Sequence, residues 1–515
     1  MLHSVDAGCS PAPAALGAGW IAQLTVNDPA RRRCRSWLLV ALCVYAAAMV
    51  LFVPFGIGSS WRECDTQAIA RNFLSDGWNP LRPRIDWRGD TDGAVECEFP
   101  LYQSMIAAVM GIVGEAEWPG RIIAMLAMLM ATLSLHRLLE ARTGPGGALV
   151  GSLVFLGSGQ AVLLGTRVMP DALSLALAIA GTAAFVQFLA EGRGRTLFLA
   201  TVMTALACLV KPTALQIGLL QFLWLLAVAP RRLRELRVWI SAVTVLGVVG
   251  LWMAHGIQLH ADTGLTFGVA AGGETKFPTG WSLRKLSIWT SLGWTTLQFG
   301  FGGLGVIGLL VAVARRRFSA SELALVVVAG LGLVGTLRYS FHGGIGPHYH
   351  AFAAVAGSWL VACAWPRRAH WALWGTLLLV VVLLAGVHIG RERAWRQGCL
   401  SSGQLTAGAA VESMSKPSEL AVVRSFREGY DAFWRRRTNY EDPVLLYHAR
   451  RRGWVLPADG FEPDALNALR NRGAAIVVDQ TPASTSVLAR QWLDANADQA
   501  VDSGGCRIYR LRARS

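Results

Sequence analysis

Between residues 36 and 390 the chain alternates long apolar runs with short polar breaks, a rhythm that predicts membrane-spanning helices. The first run, Trp37 to Ile57, holds about 20 residues, enough to cross the hydrocarbon layer. It is longer than the ~7–15 apolar residues of a cleavable signal core, so it is expected to be retained. Further runs lie near 119–139, 146–166, 171–190, 196–211, 213–229, 238–256, 289–314, 320–338, 347–365 and 370–390. One more, Phe99 to Gly114, has about 16 residues, just under the ~17 a crossing needs.

The topology turns on that short run. If it does not cross, Arg137/Arg142, Arg193/Arg195, Arg231/Arg232/Arg234/Arg237, Arg315/Arg316/Arg317 and Arg367/Arg368 all fall on the same side as Arg31, Arg32, Arg33 and Arg35. If it crosses, every one of those later clusters is exported. The positive-inside bias selects the first arrangement, with eleven spans and an interfacial helix at 99–114. Residues 1–35 then read as a disordered cytoplasmic tail, 36–390 as the transmembrane domain with 58–118 as its first external loop, and 391–515 as an external α/β domain. The expected fold is an all-α polytopic membrane protein with a small C-terminal α/β domain.

Composition agrees: 53% of residues are hydrophobic and 16% charged, and mean hydropathy is +0.41. The net charge of +15, from 48 Lys and Arg against 33 Asp and Glu, sits in short loop clusters, so it argues for membrane topology and not for nucleic acid. Nine cysteines form no C-x-x-C pair, which removes zinc-ribbon and thioredoxin-type readings. Cys64 with Cys97, and Cys399 with Cys506, fit either two external disulfides or buried free thiols. In the tail, strands are expected at 419–423, 474–478 and 506–511, and helices at 424–437, 442–452 and 463–472. The tail holds no glycine-rich phosphate loop, nucleophile elbow or H-E-x-x-H.

The chemistry lies elsewhere. Trp61 to Phe73 predicts an amphipathic helix with Ile69, Phe73 and Leu74 on one side and Asp65 near its start. Asp65, Glu98, Arg167, Asp171, Lys211, Arg338, His348 and His350 all map to the outer membrane face, although they are scattered along the chain. Five of them have a plainer role as well: Asp65 or Asp171 as a helix cap, Lys211 as a snorkelling side chain, the two histidines as interfacial hydrogen-bonding groups. Gathered at one interface, these acids and cations suit a reaction on a phosphorylated lipid head group. A carrier would place its charges nearer the bilayer midplane and show internal repeats.

The ordered motifs W-R-x-x-D-T-x-x-I-A-R-N-F from Trp61, E-F-P-L-Y from Glu98, R-x-M-P-D from Arg167, K-P at Lys211 and H-Y-H from His348 resemble the GT-C superfamily of membrane glycosyltransferases. The likeness is greatest to the bacterial branch related to lipid A aminoarabinose transferases and protein O-mannosyltransferases, and it covers roughly 36–390. It implies a polyprenyl-phosphate-linked sugar as donor, used on the extracytoplasmic side, with Asp65 at the reacting centre. Glu98 then matches an acidic position that helps hold a divalent metal in relatives, and Asp171 the acidic residue after the third span. Two positions depart from the family pattern: Thr66 stands in a common Asp-Glu pair, and Pro212 replaces the Gly often following the Lys.

On this reading Asp65 is the base in an inverting, in-line attack by an acceptor hydroxyl of a lipid, glycan or protein. Arg167, Lys211 and Arg338 are the phosphate-binding candidates. His348 and His350 join Glu98 as metal ligands or meet the phosphate; no nucleotide cofactor is expected. A transporter or lipid flippase is the main rival, and a binding-only protein the third reading.

Overall fold

The computed structural model describes residues 29–272, 283–300, 302–315, 318–336, 340–341, 344–345, 347–366, 369–432 and 435–512. The expected tail up to residue 28 lies outside the described residues, as do Arg316, Arg317, Arg338, Arg367 and Arg368. Helix α1, Pro29–Phe52, starts earlier than the apolar run suggests. Arg31 and Arg35, one turn apart, both reach the buried Glu140, at 2.8 and 3.2 Å, which makes the basic cluster helical. After α2, Trp61–Ser75, and α3, Leu101–Val113, comes α4, Trp118–Leu156, broken where Gly144 takes a φ of 78° ahead of Pro145. The runs expected at 119–139 and 146–166 are its two limbs, the second ending in a separate helix, α5, Gly159–Thr166. Ser158 caps α5 by accepting a hydrogen bond from Ala161 N.

The remaining apolar helices are α6, Asp171–Glu191; α7, Gly194–Val210; α8, Leu215–Val228; α9, Leu236–Thr263; α10, Leu286–Phe299; α11, Gly302–Ala314; α12, Ala320–Thr336; α13, Ala351–Ala364; and α14, Trp371–Leu400. Among the described residues, five helical runs are long and apolar enough to cross a membrane, or six if α10 and α11, bent by 83°, count as one. Length alone therefore supports fewer crossings than the eleven counted from hydropathy. The short helices α7, α8, α12 and α13 cover about 20–26 Å at 1.5 Å per residue, under the ~30 Å of a hydrocarbon core. Helix α3 is shorter still, in keeping with a segment that does not cross.

The tail begins inside a helix. Because α14 runs on to Leu400, the boundary expected at 391 falls within it, and its last turns carry Glu392, Arg396 and Cys399. Then follow α15, Gly403–Met414; β1, Leu420–Arg424; α16, Val444–Ala449; β2, Gly453–Leu456; α17, Pro463–Asn471; β3, Ala474–Asp479; α18, Val487–Asn496; β4, Ala497–Ser503; and β5, Cys506–Leu511. They form a five-stranded sheet of order β2-β1-β3-β5-β4, parallel across β2, β1 and β3 and antiparallel beyond. Among the described residues of 424–437 the expected helix is absent. Main-chain bonds from that segment go outward, Ser425 N to Leu456 O and Gly429 N to Asp459 Oδ1, and Arg435 has a φ of 52°, outside the helical region. Strand β4, mostly exposed and without apolar alternation, gave the sequence no signal.

This domain docks on the segment between α1 and α4. Gly89 N donates to Gly453 O and Gly453 N to Asp86 O, Arg71 reaches Tyr447 O at 3.2 Å, and the Tyr447 hydroxyl meets Glu117 at 3.2 Å. Helix α2 is consequently sandwiched: Glu63 through Ala70 are all buried, so it is not the surface-lying amphipathic helix its pattern suggested. Neither disulfide forms; Cys64, Cys97, Cys399 and Cys506 are free thiols. Cys64 Sγ faces Gly58 O and Cys97 Sγ faces Glu98 O, while Cys399 ends α14 and Cys506 Sγ turns to Gly504 O.

Candidate active site

Asp65 lies one turn into α2, behind Ser60 at the N-cap, and is 3% exposed. It caps nothing: Oδ1 accepts the Trp87 indole N–H at 3.0 Å, and Oδ2 makes no hydrogen bond to a described residue. Burial pushes its carboxyl up to about 7; the Trp87 hydrogen bond and Arg62 pull it down, while the carboxylates of Asp86 and Asp442 push it further up. Such a group takes and gives up a proton near neutrality, as a general base must.

Arg62, three residues earlier and on the same helical face, acts on Asp65 through its charge and pairs with a second acid. It donates to Glu98 Oε2 at 2.6 Å. Lys211, where α7 ends, lies 3.6 Å from Glu98 Oε1 and 3.2 Å from Asp171 Oδ1. Asp171 is the first residue of α6, where the helix dipole favours an anion, and its carboxylate is spent on Lys211. A continuous chain results, Arg62–Glu98–Lys211–Asp171, all of it at helix ends or in the loop before α3. Lys211 is 9% exposed, so it does not snorkel. Burial would raise the Glu98 carboxyl, but Arg62 and Lys211 together override it and hold it at about 2.

Beside this chain lies a cavity of roughly 40 Å³ lined by Asp171, Ser174, Lys211, Gln216, His348 and Tyr349 among others. Desolvation lowers the His348 imidazole to about 3, the nearby cations adding to the effect against the pull of Asp171. It is a neutral ring at any ordinary pH. Tyr349 sets its ring 5.5 Å from Lys211 Nζ.

Two predicted site residues stand apart. Arg167 forms a bidentate pair with Glu392, both bonds 2.9 Å, with its guanidinium 3.5 Å above the Trp395 ring. His350 is fully buried at the start of α13, its ring nitrogens without a partner among the described residues. Glu98, His348 and His350 do not assemble as metal ligands: among the described residues no group of three His, Cys, Asp or Glu is placed to hold an ion. Glu98 already sits between two cations, which would repel a third charge of the same sign.

Sequence reasoning missed Arg62, Trp87, Glu392 and Arg396. Arg62 was legible, since i and i+3 share a helical face. Arg396, 1% exposed at its side chain, pairs with Glu63 at 3.0 Å and donates to the carbonyls of Gly56, Ile57 and Thr166. Glu63 also accepts from Val168 N at 2.9 Å, so α2, α14 and the Arg167 turn are tied at one point.

The family described as dolichyl-phosphate-mannose-protein mannosyltransferase matches residues 98–254, which contain Glu98, Asp171 and Lys211. A search of curated proteins gives no match. Among solved structures, ArnT from Cupriavidus metallidurans bound to undecaprenyl phosphate is similar with a TM-score of 0.61 at 12% identity, over 92% of this chain and 98% of that one. The mycobacterial arabinofuranosyltransferase AftD is similar at 0.58 and 14%, over 93% of this chain and 40% of that one. The Archaeoglobus fulgidus oligosaccharyltransferase, in complex with Zn and sulfate, is similar at 0.53 and 13%, over 86% and 67%. The fold is shared with ArnT and AftD. The resemblance to ArnT and the O-mannosyltransferases holds for an integral membrane chain built on that fold.

Proposed function

We propose that this protein is an inverting glycosyltransferase that moves a sugar from a polyprenyl-phosphate donor to a hydroxyl of a cell-envelope acceptor, at the extracytoplasmic face of a bacterial inner membrane. The observation that carries the reading is Asp65, a buried carboxylate with one oxygen fixed by Trp87 and the other unbonded among the described residues, under the charge of Arg62, which pairs with Glu98 at the head of the Glu98–Lys211–Asp171 chain. The acceptor O–H gives its proton to Asp65, its oxygen attacks the anomeric carbon, and the bond from that carbon to the phosphate oxygen breaks on the opposite face. Polyprenyl phosphate departs with the electron pair. Lys211, which lines the cavity beside His348 and Tyr349, meets that phosphate. Arg167, already bound at both ends of its fork, supports the turn instead. No observation favours a carrier, because the charges lie at helix ends.

The test is release of undecaprenyl phosphate by purified protein in nanodiscs from undecaprenyl-phosphate hexose and pentose donors. Transfer from none of them would end the reading. The rate should climb with pH through a midpoint near 7, because Asp65 acts only when ionised; a flat profile from pH 5 to 9 would remove Asp65 from the base role. Lys211→Ala should weaken binding of undecaprenyl phosphate about tenfold, as loss of one charge-assisted contact. Unchanged affinity in titration calorimetry would reassign the phosphate site.

A further inference from the structure

Glu96, two residues before Glu98, is fully buried, yet its carboxylate is not part of the charged chain. It is spent on the distant segment 264–272. Glu96 Oε2 accepts from the Thr266 hydroxyl and from Val269 N at 3.1 Å, and Oε1 accepts from Ala270 N at 2.5 Å. The main chain adds Glu96 N to Leu265 O at 3.1 Å and Phe267 N to Glu96 O at 2.8 Å. Gly268 turns at a φ of 64°, a conformation that favours glycine. A buried carboxylate with three donors from one short loop holds that loop in a single place.

What the clamp holds in place is Phe267. Its half-buried ring lies 5.0 Å from the Arg62 guanidinium carbon and 6.1 Å from the Trp87 ring, tilted by 32°. Those two side chains hold Glu98 and Asp65 respectively. An arginine has several rotamers of similar energy, and an aromatic face on one side confines it through cation–π attraction.

We propose that the loop 264–272 is a positioning element of the active site: clamped by Glu96, it sets the Phe267 ring against Arg62 and Trp87 and so fixes the groups that orient Asp65 and Glu98. This rests on the glycosyl-transfer reading. Phe267 touches no reacting atom, so its effect falls on turnover. An aliphatic side chain fills the same space without an aromatic face, which separates positioning by the ring from simple packing.

The experiment compares full-length wild type, Phe267→Ala, Phe267→Leu, Phe267→Tyr and Glu96→Gln in nanodiscs, with undecaprenyl-phosphate sugar as donor. Ala and Leu should each lower kcat about tenfold with donor KM within about twofold, and Tyr should restore kcat to within about twofold of wild type. Glu96→Gln, which loosens the clamp and keeps the ring, should lower kcat in the same way. Wild-type turnover in Phe267→Leu, or a loss confined to KM, overturns the positioning role and leaves the transferase reading intact. A wild-type protein that transfers no sugar overturns both.

Discussion

Replacing Asp65 with Asn should lower sugar transfer by about 10²- to 10⁴-fold, the contribution typical of a general base, while the protein stays folded and binds undecaprenyl phosphate with wild-type affinity. Asn keeps an oxygen for the Trp87 indole and keeps the volume, but it cannot take a proton usefully. The sign of the stability effect is also determined. Burial raises the carboxyl from an ordinary 3.8 to about 7, so folding favours the protonated form, and ionisation costs stability as pH rises from about 4 through 7. Asp65→Asn carries no charge to bury, and its thermal transition at pH 8 should equal or exceed that of the wild type. A stable variant with no turnover is the signature of a group held at an energetic cost for its chemistry. Transfer near the wild-type rate would place the base elsewhere.

Arg396→Ala should produce the largest loss of stability, ~3–5 kcal/mol, the usual effect of stripping one partner from a buried ion pair. Glu63 would be left fully enclosed without its charge partner, and the carbonyls of Gly56, Ile57 and Thr166 would lose a shared donor. Arg396→Lys keeps a charge but not the fork, and it should recover only part of the loss. Thermal unfolding in detergent decides the matter: a transition unmoved by Arg396→Ala would mean that the junction of α2, α14 and the Arg167 turn does not depend on this pair.

These two residues differ in how far they could be read in advance. Asp65 was recognisable because an acidic residue expected at the membrane face is unusual and the W-R-x-x-D motif has relatives. Arg396 was not, because an arginine just past a hydrophobic run is an ordinary topological marker, and its partner lies far away in sequence. Arg167 shows the opposite error. A cation expected at the outer face was a natural phosphate candidate; the structure gives both ends of its guanidinium to Glu392, on a helix expected to have ended earlier.

The apolar periodicity by itself determined that the chain is a bundle of membrane helices with a polar α/β appendage. Burying the backbone in hydrocarbon leaves helices as the only form for such runs here. Local chemistry also determined the helix starts at Asp171 and Trp61. Only the tertiary structure decided which charges meet. Long side chains choose partners by distance and dielectric, neither of which is written along a chain, so Glu98 was settled between Arg62 and Lys211, and Asp65 beside Trp87, by packing alone. The same packing drew the tail domain over α2 and removed water from Asp65, and that burial is what moves a routine carboxyl into the range of a base.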